Sequence, residues 1–151
     1  MTDVGYSGTP LARKLGLKDG QAVAFVGLPD SLHYLTEAAA YRRIETAPDW
    51  RALPEGARDV IHLFTKAATE VDTALPVLRD LIEPDGMIWV SWPKKVAKVP
   101  TDVTEDVIRK RALADVLVDV KVCAVDAVWS GLKLVVRKEA RAGHINTRVK
   151  P

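Results

Sequence analysis

Cysteine and histidine are scarce in this chain of 151 residues, which holds one of the former, Cys123, and three of the latter. One thiol excludes an internal disulfide framework and any cysteine-based zinc cluster. His33, His62 and His144 share no ligand spacing with one another, so no metal site is expected. No apolar run approaches the ~18 residues that a membrane helix needs, which argues against a membrane partner. The start, Met1 through Ser7, lacks both the basic residues and the apolar stretch of a signal peptide. A cytoplasmic protein is the expectation. No repeat of roughly 20–50 residues is visible, so a solenoid is excluded. What remains is 48% apolar and 28% charged residues, an ordinary globular composition.

The net charge of +2 is unevenly placed. Arg137, Lys138, Arg141, Arg148 and Lys150 stand against Glu139 alone near the C-terminus, so the rest of the chain is slightly acidic. A nucleic-acid binder shows a basic face on its folded surface, and charge gathered in a tail argues against that partner. Residues 140–151 contain only Ile145 and Val149 as large apolar groups, too few to anchor them, and are expected to be a flexible basic tail. Residues 1–139 are expected to form a single α/β domain with an N-terminal capping helix.

Strand and helix patterns alternate. Thr9 suits an N-cap, Pro10 the first helical position and Gly16 the left-handed stop of a short first helix. Ala22–Val26, Val60–Phe64 and Met87–Trp92 are continuous apolar runs of strand length, as in strands covered on both faces. These three are expected to lie parallel and adjacent. Asp30 or Ser31 can cap a helix running to about Ala40, and Tyr41–Glu45 reads as a weak strand near an edge. Residues 46–57 read as a connecting loop. Thr69 with Asp72 resembles a capping box ahead of a single apolar stripe from Val71 to Ile82, and Pro76 inside it is expected to bend the helix or delay its start. Asp102, with Glu105 three residues on, is expected to cap the next helix. Val120–Val125 and Leu132–Val136 are too close together for a crossover helix and are expected to pair as an antiparallel hairpin.

This order gives a Rossmann-like α/β three-layer sandwich with a mostly parallel sheet of about six strands. With Glu83-Pro-Asp-Gly-Met-Ile-Trp-Val90 before a strong strand, it resembles the class I S-adenosylmethionine-dependent methyltransferases over roughly residues 20–138. One strand–helix unit of that family is missing where residues 46–57 run. The chain is also similar, across nearly its whole length, to a small bacterial family carried as a domain of unknown function. Tyr6-Ser-Gly-Thr-Pro-Leu11, Ser91-Trp-Pro-Lys-Lys95, Thr101-Asp102 and Lys121-Val-Cys-Ala-Val-Asp126 with Trp129-Ser-Gly-Leu132 carry that similarity. It implies no particular activity.

In an open α/β sheet ligands bind outside the carboxyl ends of the strands. That rule selects Gly27 and Asp30, Glu45, Lys66, and Trp92 with Lys94 and Lys95 as candidate binding residues. The methyltransferase resemblance implies a glycine-rich turn after the first strand and an acid after the second that holds ribose. Gly27 and Glu45 stand in those places, but bulky Leu28 and rigid Pro29 follow the single glycine. Phe64-Thr-Lys66 replaces the family's acceptor motif. Lys66, Lys94 and Lys95 are expected to converge on a phosphate or carboxylate beside a helix N-terminus. His62 reads as a satisfied core histidine, Cys123 as a buried inert thiol, and Asp126 as a turn residue.

Three functions follow from these readings. The first is a non-catalytic binder of a small anionic or nucleotide-like ligand on a degenerate methyltransferase-like scaffold. The second is a methyltransferase using S-adenosylmethionine through an altered donor loop. The third is a homodimeric interaction module, paired through an edge strand that the missing unit leaves open.

Overall fold

The computed structural model describes residues 11–143. Its first strand is β1 (Ala22–Val26), all five residues of which are buried. After it come β2 (Arg43–Ala47), β3 (Arg58–Phe64), β4 (Ile82–Pro93), β5 (Leu117–Ala124) and β6 (Trp129–Val136). The six strands form one sheet in the order β2-β1-β3-β4-β6-β5. The first four are parallel, and β6 runs antiparallel between β4 and β5. The three continuous apolar runs are therefore adjacent and parallel, and the hairpin closes the sheet as expected.

One face is covered by α1 (Ala68–Arg79) and α2 (Glu105–Leu113), which bury Val71, Ala74, Leu75, Leu78, Ile108 and Ala112 against it. The other face is covered by a helical turn at residues 11–14 and a 3-10 helix, Asp30–Glu37. Leu11, Leu15, Leu32 and Leu35 pack there on Phe25, Val60 and Trp89. The Trp89 indole N–H donates to the Leu15 carbonyl at 3.0 Å. Gly16 makes the predicted left-handed stop at φ 74°. Thr9 and Pro10 lie outside the described residues.

Four details differ from the expectations. The first crossover is a 3-10 helix ending at Glu37, entered from Pro29 without a side-chain cap. Its buried residues, Leu32 and Leu35, are three apart, and three residues per turn puts them on one line. The start of α1 is not capped by Thr69. Ala68 N–H donates instead to the Asp102 carboxylate at 2.7 Å, and Ala67 N–H to the Thr65 hydroxyl at 3.2 Å. Asp102 is thereby spent on α1, and Thr104 caps α2 by accepting from Val107 N–H. Pro76 stays inside α1, and the Asp72 carbonyl that it cannot serve accepts from Arg111 Nε at 3.4 Å. Finally, residues 138–143 continue in helical turns, with Ala140 on the core and Arg141 Nε bonded to the Val136 carbonyl. The rest of the expected tail lies outside the described residues.

The segment between β2 and β3 is held by a charge. Arg58 is fully buried and bonds Glu45 through Nε (2.7 Å) and Nη2 (3.1 Å). Its remaining donors reach the carbonyls of Gly56 (2.5 Å) and Pro54 (2.7 Å). Trp50 and Leu53 then pack against the core beside α1.

Candidate functional site

The carboxyl ends of the parallel strands lie on one edge, where the chain leaves each strand for its crossover. Gly27 follows β1 at φ 69° and continues the ladder through its N–H to the Ala47 carbonyl. A Cβ there would lie 2.9 Å from the Phe64 carbonyl oxygen. The space that a glycine opens is thus filled by the neighbouring strand, and this glycine serves β1–β3 packing. A cavity of about 490 Å³ lies on one side of it, lined by Phe64, Thr65, Lys66, Glu70 and Trp129. A second, of about 390 Å³, lies on the other side, lined by Leu28, His33, Thr46 and Pro48.

Asp30 is exposed at the start of the 3-10 helix. Glu45 lies in the middle of β2, opposite Ala24, and lines neither cavity. Its carboxylate is held below the usual range, first by the hydrogen bond from Arg58 and then by the charges of Arg58 and Arg43. That leaves it engaged by two arginines rather than presented to a ribose.

The end of β4 is built differently. Trp92, 9% exposed, floors a cavity of about 570 Å³ whose walls include Lys94, Lys95, Lys98, Thr101 and Glu105. Lys94 N–H is tied to the Val128 carbonyl at 2.7 Å, and a 3-10 turn over Lys95–Ala97 follows. The turn ends on Lys98 in the left-handed region at φ 55°, the one non-glycine residue so placed among those described. Such a conformation costs about 1 kcal/mol or more without a glycine. Here it turns the chain so that a third lysine lines the same cavity. Among the described residues none of the three lysines forms an ion pair, while Glu105 is paired with Arg109. The N-terminus of α2 adjoins the cavity at Thr104 and adds partial positive charge.

The structure therefore brings Lys94 and Lys95 together with Trp92 and places Lys66 with Gly27 in a separate cavity. The two are linked through the backbone, since the Lys66 carbonyl accepts from the Thr101 hydroxyl at 2.8 Å. Lys98 is not among the residues expected from the sequence, because nothing in Lys98-Val-Pro100 signals a left-handed lysine.

The remaining candidates are structural. His62 is buried, stacks on Phe64 at 4.2 Å, and shares a hydrogen bond with the Ser91 hydroxyl at 2.7 Å. Burial pushes its pKa down to about 3, so it is a neutral core residue. Ser91 fits because Gly131 has no side chain, a Cβ there lying 2.9 Å from the serine oxygen. Burial raises the Cys123 thiol pKa. Asp126 accepts from the N–H groups of Val128 and Trp129, as a turn residue does.

Comparison with solved structures places this architecture. The magnesium protoporphyrin IX methyltransferase of Synechocystis PCC 6803, with bound S-adenosylhomocysteine, superposes with a TM-score of 0.62 at 16% identity. The match covers 89% of this chain and 82% of that one. The N-methyltransferase NodS of Bradyrhizobium japonicum WM9 gives a TM-score of 0.56 at 12% identity, over 89% of this chain and 95% of that one. No protein-family model matches the chain, and no curated protein does. No helix among the described residues is long and apolar enough to cross a membrane. The chain has the Rossmann-like fold of the methyltransferases, a six-stranded, mostly parallel sheet ending in an antiparallel hairpin.

Proposed function

We propose that the protein binds a small anionic or nucleotide-like ligand without chemical turnover, in the cavity between the end of β4 and α2. The observation that carries this reading is the set of Lys94, Lys95 and Lys98 around one cavity floored by Trp92, with no carboxylate paired to them among the described residues. Lysines act as point charges suited to phosphate or carboxylate, and Trp92, Val99 and Pro100 add apolar lining to the same cavity. The absence of turnover rests on the surroundings of the one histidine in the sheet and the one thiol. His62 is neutral and enclosed, and burial raises the pKa of the Cys123 thiol.

A second reading, donor binding across Gly27, is favoured by the S-adenosylhomocysteine and S-adenosylmethionine bound in similar structures. The residues present fit that group poorly. The approach to Gly27 is filled by the Phe64 carbonyl, and Glu45 is engaged by Arg58 and Arg43.

A thermal-shift screen of phosphate, adenosine nucleotides, S-adenosylmethionine and S-adenosylhomocysteine separates the two. A ligand at 100 times its Kd adds about 2.7 kcal/mol, several degrees for a chain of this size. The binding reading expects an anion-dependent rise that disappears in a Lys94→Ala/Lys95→Ala/Lys98→Ala variant. A rise with S-adenosylmethionine alone, unchanged in that variant, supports the donor reading instead.

A further inference from the structure

The face of the sheet opposite α1 and α2 carries a second concentration of positive charge, and a strand irregularity creates it. In β5–β6, Asp119 pairs with Leu134, and the next pair is Lys121 with Lys133. Val120 is the extra residue between them. In an unbroken register Val120 would pair with Lys133 and Lys121 would stand opposite Leu132, on the face that α2 covers. The bulge turns it to the other face, directly across from Lys133. Like charges in direct opposition across an antiparallel pair are destabilising, so the arrangement works against the fold.

Two more lysines join this pair. Lys18 lies close enough to depress the Lys133 ammonium together with Lys121, though burial is the larger cause. Lys14 and Lys121 both act on the thiol of Cys123, which lies on the same face. Among the described residues none of the four lysines forms an ion pair. The nearest acid along the strand, Asp119, points to the other face and is held by Arg109 at 3.0 Å.

We propose that Lys14, Lys18, Lys121 and Lys133 form a contact surface for the phosphate backbone of a nucleic acid. The tail, where the sequence shows its excess charge, is not involved. The four residues lie on two strands, the helical turn at residues 11–14 and the connection that follows it. Exposed lysines gain little individually, but a chain of phosphates adds their contributions through released counterions. Lysines act as point charges that engage phosphates without reading base edges. The surface lies apart from the Trp92 cavity and does not depend on the ligand proposed there.

The test is fluorescence anisotropy of the full chain with labelled 20-nucleotide oligo(dT) and a mixed sequence, between 50 and 200 mM salt. Four phosphate contacts predict a slope of log K against log salt of about −3, an affinity decrease of about 50-fold over that range. Lys121→Gln/Lys133→Gln should halve the slope and reduce that decrease to about 7-fold, equally for both sequences. Lys110→Gln, a control on α2, should leave the slope unchanged. The double variant should melt no lower than the parent, because it removes a like-charge pair, so its weaker binding is not unfolding. An unchanged slope in the double variant overturns the proposal. So does binding to phosphatidylserine vesicles without binding to either oligonucleotide.

Discussion

The guanidinium of Arg58 and the carboxylate of Glu45 meet in a two-point ion pair, Nε to Oε1 at 2.7 Å and Nη2 to Oε2 at 3.1 Å. The arginine is fully buried, and its other donors hold the carbonyls of Pro54 and Gly56. One side chain thus fastens the segment between β2 and β3 to the edge strand of the sheet. Removing one partner of a buried pair leaves a charge uncompensated, at a cost of roughly 3–5 kcal/mol. Glu45→Ala should therefore lower the denaturant midpoint sharply while leaving ligand affinity per folded molecule unchanged. A Glu45→Ala protein as stable as the parent would show that the pair does not hold this segment.

His62 makes the fold sensitive to acid. Its pKa lies at about 3 in the folded chain, below the ordinary 6.5, so the unfolded chain binds the extra proton between those values. Stability is therefore full above about pH 6.5 and falls as the pH drops toward 3, by at most about 1.4 kcal/mol per unit. The lowered pKa of Glu45 acts in the same direction at lower pH, its stabilisation disappearing as the carboxylate protonates. Urea titrations at pH 6.5 and 5 should differ by roughly 2 kcal/mol in the parent. His62→Gln, which can keep a bond to Ser91, should show a much smaller difference. Equal differences in the two proteins would place the acid sensitivity elsewhere.

Gly27 and Gly20 provide an internal comparison. Both adopt positive φ, 69° and 84°, but a Cβ at Gly20 meets nothing within 4 Å, while one at Gly27 meets the Phe64 carbonyl at 2.9 Å. Gly20→Ala should cost about 1 kcal/mol for the left-handed conformation alone. Gly27→Ala should cost at least twice that, since backbone must shift to relieve the close approach. Equal drops in the two melting temperatures would show that the Phe64 approach is slack and would reopen Gly27 to a ligand.

How much of this is legible in the sequence depends on whether a feature is local or made by pairing. Ala22–Val26 announces itself because burial on both faces demands five apolar residues in a row. The hairpin is legible from the short connection between its strands, and Asp126 from the ordinary chemistry of turns. Asp102 misleads, because a capping residue looks the same whether it serves its own helix or one 34 residues away. Glu45 misleads because its partner, Arg58, lies 13 residues along the chain beyond an unpatterned loop. Lys121 opposite Lys133 is invisible in the sequence, since only the bulge at Val120 decides which face Lys121 occupies. The Trp92–Lys95 segment is legible as a basic strand end. Lys98 joins it only because the chain turns left-handed there.

The central claim is that a small anion goes to the end of β4 and not across Gly27. The most direct measurement is an amide chemical-shift titration with the anion that gives the largest thermal shift. The main changes are expected at residues 92–105, with binding weakened in Lys94→Ala/Lys95→Ala by roughly 1–3 kcal/mol for each charge-assisted hydrogen bond removed. Changes confined to residues 26–30, 46–48 and 64–67, and indifferent to that double substitution, would contradict it.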